Sequence, residues 1–130
     1  MWLWILICAI LFWIPQNALH EGSHALMAKC FGQKIIKFWP IPGKLHGKWM
    51  FAYVQYYGKK LFGWPKRLVT AAPQLLNVIL LSILSILAIY FEHPVIYALI
   101  ITNTADLAAN LFFGLVFGRG DVGKLIDSFK

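Results

Sequence analysis

The chain has 130 residues, 60% of them hydrophobic and 13% charged, with a mean hydropathy of +0.68. That is too apolar for a soluble domain of this size and points to a single membrane-embedded domain covering residues 1–130. The net charge of +7 reads as membrane topology and contact with anionic lipid headgroups, not as nucleic-acid binding, because the basic residues hug helix ends and no recognition module accompanies them.

A spanning helix needs ~20 mostly apolar residues, and three stretches qualify, at about 2–28, 67–91 and 95–117. The first opens Trp2-Leu3-Trp4-Ile5-Leu6-Ile7 and stays nearly uncharged to Leu19. A cleaved signal peptide is not expected: no basic side chain precedes the stretch, and cleavage behind it would cut into His20-Glu21-Gly22-Ser23-His24. Pro15 removes the bond its amide would give to Leu11, which predicts a kink just before His20.

His20 and His24 stand at i and i+4, so a helix turns both imidazoles to one face, where they can share a metal ion. Glu21 lies beside them without being a ligand, the arrangement of a H-E-x-x-H zinc-protease motif. Two histidines and a glutamate in a membrane helix are costly without a purpose. A catalytic zinc takes three protein ligands and leaves its fourth position to water, whose pKa it lowers to ~7. Glu21 would take the proton of that water and later deliver it to the leaving amine.

After Gly32 the pattern changes, and a cytoplasmic β-rich loop is expected over about 33–58. Residues 34–39 and 48–57 are rich in β-branched and aromatic side chains, and Pro40-Ile41-Pro42-Gly43 separates them. They predict a small β-hairpin or a loop dipping into the interface. Lysines mixed with aromatics suit the headgroup level. The segment reads either as an interfacial anchor or as an exposed edge that pairs with an extended substrate next to the metal.

The second span begins behind Pro65-Lys66-Arg67 and contains Ala71-Ala72-Pro73-Gln74-Leu75-Leu76-Asn77. Its small residues permit close helix approach, and Asn77 should face protein. The third span carries Asn103, Asp106 and Asn110, the last two on one face. Nine of the twelve Lys and Arg residues fall between Lys29 and Arg67, and the other three follow the third span. The positive-inside rule therefore makes the 29–67 loop and the C-terminus cytoplasmic and leaves the N-terminus outside. Cys8 and Cys30 are too far apart along one helix to pair, and free thiols are expected.

Two residues compete as third metal ligand. Measured along straight helices, Asp106 lies nearest the depth of His20 and His24, and a carboxylate at that level needs a partner. Asp121 follows Gly118-Arg119-Gly120, where a helix should already have ended, and would otherwise cap a short helix at 122–129. Yet Gly114, Gly118 and Gly120 could let the chain fold back and carry Asp121 to the metal.

Taken together, these residues resemble the site-2 protease family of intramembrane zinc metalloproteases. The resemblance rests on His20-Glu21-Gly22-Ser23-His24 followed by a β-rich segment, and on Ala71 to Asn77, similar to A-G-P-x-x-N. It rests also on Asn110-Leu111-Phe112 with Asp121-Val122-Gly123-Lys124-Leu125-Ile126, similar to N-x-x-P followed by D-G-G-R and two apolar residues. Phe113 stands in place of the proline and Val122 in place of the first glycine, and the Asn-to-Asp spacing is longer. The resemblance points to Asp121 as ligand, whereas depth favours Asp106. It also gives Asn110 the task of holding substrate or stabilising the oxyanion, and implies a minimal member with three core spans.

The expected protein is thus an α-helical integral membrane protein with three transmembrane helices and one Zn2+ ion. It would hydrolyse peptide bonds of transmembrane or membrane-adjacent substrates near the cytoplasmic face. The alternative is a non-enzymatic membrane protein with a structural metal site or a partner-binding role. Three helices leave the flank of the site open, so a homo-oligomer or a shielding partner protein fits as well.

Overall fold

The computed structural model describes residues 1–50 and 52–130; Phe51, inside the second predicted strand stretch, lies outside the described residues. In chain order the elements are α1 (Trp2–Cys30), β1 (Lys34–Trp39), β2 (Gly43–Leu45), β3 (Lys48–Met50), β4 (Tyr53–Tyr57), α2 (Gly63–Tyr90), α3 (Pro94–Phe117) and α4 (Gly120–Asp127).

Helices α1, α2 and α3 contain 29, 28 and 24 residues, and at ~1.5 Å per residue each is longer than the ~30 Å hydrocarbon core. All three are apolar enough to cross a membrane. Their bounds lie within four residues of the predicted spans. Local chemistry explains the ends. Pro65 sits in the first turn of α2, and Pro94 opens α3, positions where the missing amide has no intrahelical partner to lose. His93 caps α3 by accepting from the Val95 amide at 3.3 Å. Helix α1 runs through Pro15 without interruption. Cys8 and Cys30 are both free.

The outward faces carry large apolar side chains such as Leu6, Ile10, Ile79, Ile86 and Leu115, all exposed. The interior is different. Among the largest fully buried side chains, Asn77 and Asn103 stand beside Ile5 and Pro73. Gln16 of α1 donates from Nε2 to Asn77 Oδ1 (2.9 Å) and Asn103 Oδ1 (3.3 Å). Asn103 Nδ2 returns a bond to the Asn77 carbonyl (3.2 Å), and Thr102 Oγ1 reaches the Ala9 carbonyl (3.0 Å). Three helices are thereby tied pairwise by side-chain hydrogen bonds, which in lipid must be satisfied inside the protein.

The expected strand pair is two nested hairpins. In the outer one, β1 and β4 pair antiparallel, Lys34 opposite Tyr57 and Trp39 opposite Tyr53, with a register shift between Ile35 and Lys37. In the inner one, β2 and β3 pair with Leu45 opposite Lys48. Its two-residue turn, His46-Gly47, has positive φ at both positions (49° and 77°), as a type I′ turn requires. Pro40 and Pro42, which lack an amide for the ladder, mark the break between β1 and β2. The outer pair rests on α1.

After α3 the chain reverses. Gly118 ends the helix in the left-handed region (φ 59°, ψ 28°), where its amide bonds the Gly114 carbonyl at 3.1 Å as an αL ending does, and the Arg119 amide reaches the Phe113 carbonyl at 3.2 Å. Helix α4 then packs against α3 and α2. The approach is close enough that a Cβ at Gly114 would overlap Val122. At the far end, Arg67 Nη2 donates to the Ser128 carbonyl (2.7 Å), and its guanidinium lies 3.9 Å over the Phe129 ring. Gly114→Ala should therefore destabilise the fold by about 1–3 kcal/mol through overpacking, measured as a shift of the unfolding midpoint in detergent with the helical circular-dichroism signal retained.

Candidate metal centre

Helix periodicity aligns His20 and His24 on one face of α1, and their rings stand nearly perpendicular, 73° apart with centroids at 5.4 Å. Both Nε2 atoms aim at one oxygen. His20 Nε2 lies 2.8 Å and His24 Nε2 3.0 Å from Oδ2 of Asp121, in the first turn of α4. One ligand atom from each of the three residues falls within 4.8 Å of the others, so the group could hold a metal ion. A tetrahedral ion with bonds of ~2.0–2.1 Å keeps its ligand atoms ~3.3 Å apart, a few tenths of an ångström beyond the distances seen.

The opposite nitrogens are also engaged. His24 Nδ1 donates to the Val69 carbonyl of α2 at 2.6 Å, and His20 Nδ1 lies 3.3 Å from Asp106 Oδ2 of α3. A ring with an acceptor at each nitrogen is satisfied by two protons or by one proton and a cation. The second arrangement is the one in which metal-ligating histidines are normally oriented, the distal N–H held by a carboxylate or carbonyl. The donor set therefore fits a zinc-like ion bound through two Nε2 atoms and one carboxylate oxygen. The other oxygen of Asp121 lies 3.8 Å from the exposed Lys124 ammonium.

Asp106 is held in turn. Asn77 Nδ2 donates to its Oδ2 at 2.6 Å, and Asn110 Nδ2 to its Oδ1 at 3.3 Å and its main-chain carbonyl at 3.0 Å. The candidate metal centre is thus joined through Asp106 and Asn77 to the buried ladder of the three helices.

Depth along straight helices favoured Asp106 over Asp121 as third ligand. The structure instead gathers Asp121 with both Nε2 atoms and sets Asp106 against the far side of His20. The reason is the reversal at Gly118 and Gly120 (φ 59° and 70°), which carries residues beyond α3 back toward its middle. Asp121 does not cap a helix at 122–129 either. Arg119 occupies the cap position of α4, and the carboxylate of Asp121 faces α1.

Burial disfavours the ionised Asp121 carboxyl, but the hydrogen bonds from His20 and His24 outweigh it and hold the group well below the usual carboxylate range.

Two openings flank the centre. One, of about 500 Å³, is lined by Glu21, His24, Met50, Tyr53, Tyr56 and Asp121, among others. The other, of about 310 Å³, is lined by His20, Glu21, Trp49, Met50, Asp106 and Asn110, among others. Glu21 borders both. Burial, reinforced by the charges of Asp121 and Glu21, pushes the Tyr56 hydroxyl up from its ordinary value. It remains a neutral hydrogen-bond donor at neutral pH.

All six residues singled out in the sequence, His20, Glu21, His24, Asp106, Asn110 and Asp121, lie at this centre or line its two openings. Gln16, Tyr56 and the Val69 carbonyl were not foreseen. Gln16 carries the same signal as Asn77, a polar side chain in an apolar span. Nothing separates Tyr56 from its neighbouring aromatics, and a main-chain acceptor leaves no trace in residue type.

No protein family, curated protein or solved structure matches the chain.

Removing a ligand and removing a supporting group should differ in degree. His20→Ala, His24→Ala and Asp121→Ala are expected to abolish zinc retention, whereas Asp106→Ala should weaken it by about 10–100-fold. Zinc content after dialysis against chelators of graded strength measures both.

Proposed function

We propose that the protein is a multi-pass membrane zinc endopeptidase, site-2 protease-like, that hydrolyses peptide bonds of membrane-embedded or membrane-adjacent substrates. The observation that carries this reading is the convergence of His20, His24 and Asp121 between two openings that share Glu21. Three protein ligands with space alongside suit a catalytic zinc, while a structural site is normally closed by four. Among the described residues the group has three members, and Asp106 meets the other nitrogen of His20. These facts favour catalysis over the rival reading, a non-enzymatic membrane protein with a structural metal or a partner-binding role.

Bound zinc would supply a Lewis acid that polarises the scissile carbonyl and acidifies a water molecule. Glu21 removes a proton from the water as its oxygen attacks the carbonyl carbon, then passes that proton to the amide nitrogen as the C–N bond breaks. Asn110 borders the smaller opening, and its longer bond, 3.3 Å to Asp106 Oδ1, is the one exchanged for the developing oxyanion. Peptide bonds inside a helix are shielded, so the substrate enters as an extended segment. Strand β4 pairs with β1 on one side and contributes Tyr53, Val54 and Tyr56 to the larger opening, which suits strand addition beside the metal.

Orientation follows from charge. The 29–67 loop and the C-terminus face the cytoplasm, where nine basic residues of the loop meet anionic headgroups. Lys44 lies 5.5 Å over the ring of exposed Trp49, a pairing at home in the headgroup layer.

The test is cleavage of a model transmembrane substrate by protein reconstituted in vesicles with zinc. Glu21→Gln should retain the metal and lose cleavage by at least about 100-fold, the scale of general acid–base catalysis. Equal cleavage by that variant would remove Glu21 from the mechanism, and no cleavage by any zinc-loaded form would favour the structural role.

A further inference from the structure

Proline disrupts a helix at one definable place. The carbonyl four residues earlier loses its amide donor, and the ring pushes that carbonyl aside. In the interior of α2 the proline is Pro73, and the carbonyl is that of Val69. Both residues are buried. Inside a membrane a carbonyl without a donor is strongly disfavoured, so a proline here demands a substitute. The substitute is a metal-site histidine: His24 Nδ1 meets Val69 O at 2.6 Å, across the α1–α2 interface.

The geometry points to Pro73 as a positioning residue of the metal centre. By withholding an amide from Val69 O, it reserves that carbonyl for His24, selects the Nδ1–H form of the ring and leaves the Nε2 lone pair aimed where His20 Nε2 and Asp121 Oδ2 also point. The inference rests on the reading of these three residues as metal ligands and adds a residue that touches neither metal nor substrate. The two histidines are then oriented by different devices. His20 has a carboxylate, Asp106, itself anchored by Asn77 and Asn110. His24 has no carboxylate on Nδ1, and its orienting acceptor is a main-chain group released from the helix ladder by the proline.

Restoring an amide at position 73 gives Val69 O its helical donor and draws the carbonyl back along the axis. His24 then loses the acceptor that fixes its tautomer, and a ring protonated on Nε2 offers the metal nothing at that atom. If Pro73 served only to shape α2, the tautomer of His24 would be indifferent to whether residue 73 carries an N–H.

Two replacements in the full chain separate these cases. Pro73→Ala restores the amide. Lactic acid at position 73, introduced as a backbone ester, removes the ring but still has no N–H. Zinc affinity is measured by chelator competition in detergent micelles, and the protonation site of His24 by side-chain 15N chemical shifts. Pro73→Ala should bind zinc about 10–100-fold more weakly, the usual cost of losing a group that orients a ligand, and lose the Nδ1–H signature. The ester should bind like wild type and keep it. Wild-type affinity in Pro73→Ala with Nδ1 of His24 still protonated overturns the role of Pro73 and leaves the metal centre standing. Should Pro73→Ala fail to fold, an ester variant that folds but binds zinc tenfold more weakly overturns it, as does wild-type protein carrying zinc on His24 Nδ1. Wild-type protein that takes up no zinc overturns the metal-centre reading itself, and this inference with it.

Discussion

Polar groups inside a bundle made to lie in lipid have no water to turn to, and this constraint organises the molecule. Gln16, Asn77, Asn103 and Asp106 come from three helices and spend their hydrogen bonds on one another. Lipid tails are as apolar as leucine, so burial of apolar surface gives the helices little reason to associate, and small residues, close packing and directional bonds set their register. Sliding any helix by one turn would leave several of these groups unpaired. The ladder ends on Asp106, which faces His20. The constraint that aligns the spans therefore also aligns a candidate metal ligand.

Every contributor to the candidate metal centre is held by a second element. His20 is steadied from α3 and His24 from α2, while Asp121 arrives on α4 after a reversal that needs Gly118 in the left-handed region and close packing at Gly114. The Arg67 clamp on Ser128 and Phe129 fixes the far end of α4 to the start of α2. A site assembled from four helices in this way depends on the whole bundle. It also leaves one side free for the nested hairpins.

The hairpins cover the centre without closing it. Met50 borders both openings, and Trp49 borders the smaller one while remaining largely exposed. A two-stranded hairpin is marginal by itself in water, and among the described residues β2–β3 pairs with no further strand. In the proposed reading, its exposed aromatics and lysines would rest in the headgroup layer. In the proposed reaction, that layer is where an unwound substrate segment would meet Glu21.

Much of this was legible in the sequence because the relevant signals are local. Three spans could be counted from runs of apolar residues, and His20 and His24 could be set on one face because helical periodicity is fixed by backbone geometry. Asn77 announced its burial because an amide in a lipid-facing stretch must find protein. Gln16 carried the same signal, and its place in the ladder became evident only when Asn77 and Asn103 were seen on either side of it. The inner hairpin escaped notice because its strands have three residues each, too few for alternation to register.

By itself, then, the sequence determined the number of spans, the pairing of the two histidines and the β-rich segment between the first two helices. Only the tertiary structure decided which aspartate joins them. His20 and Asp121 are 101 residues apart, and their 2.8 Å approach is set by a chain reversal at Gly118 and Gly120 that no periodicity encodes. It likewise decided that the Val69 carbonyl would hold His24, because an acceptor released by a proline on one helix matters only where a donor from another helix lies against it.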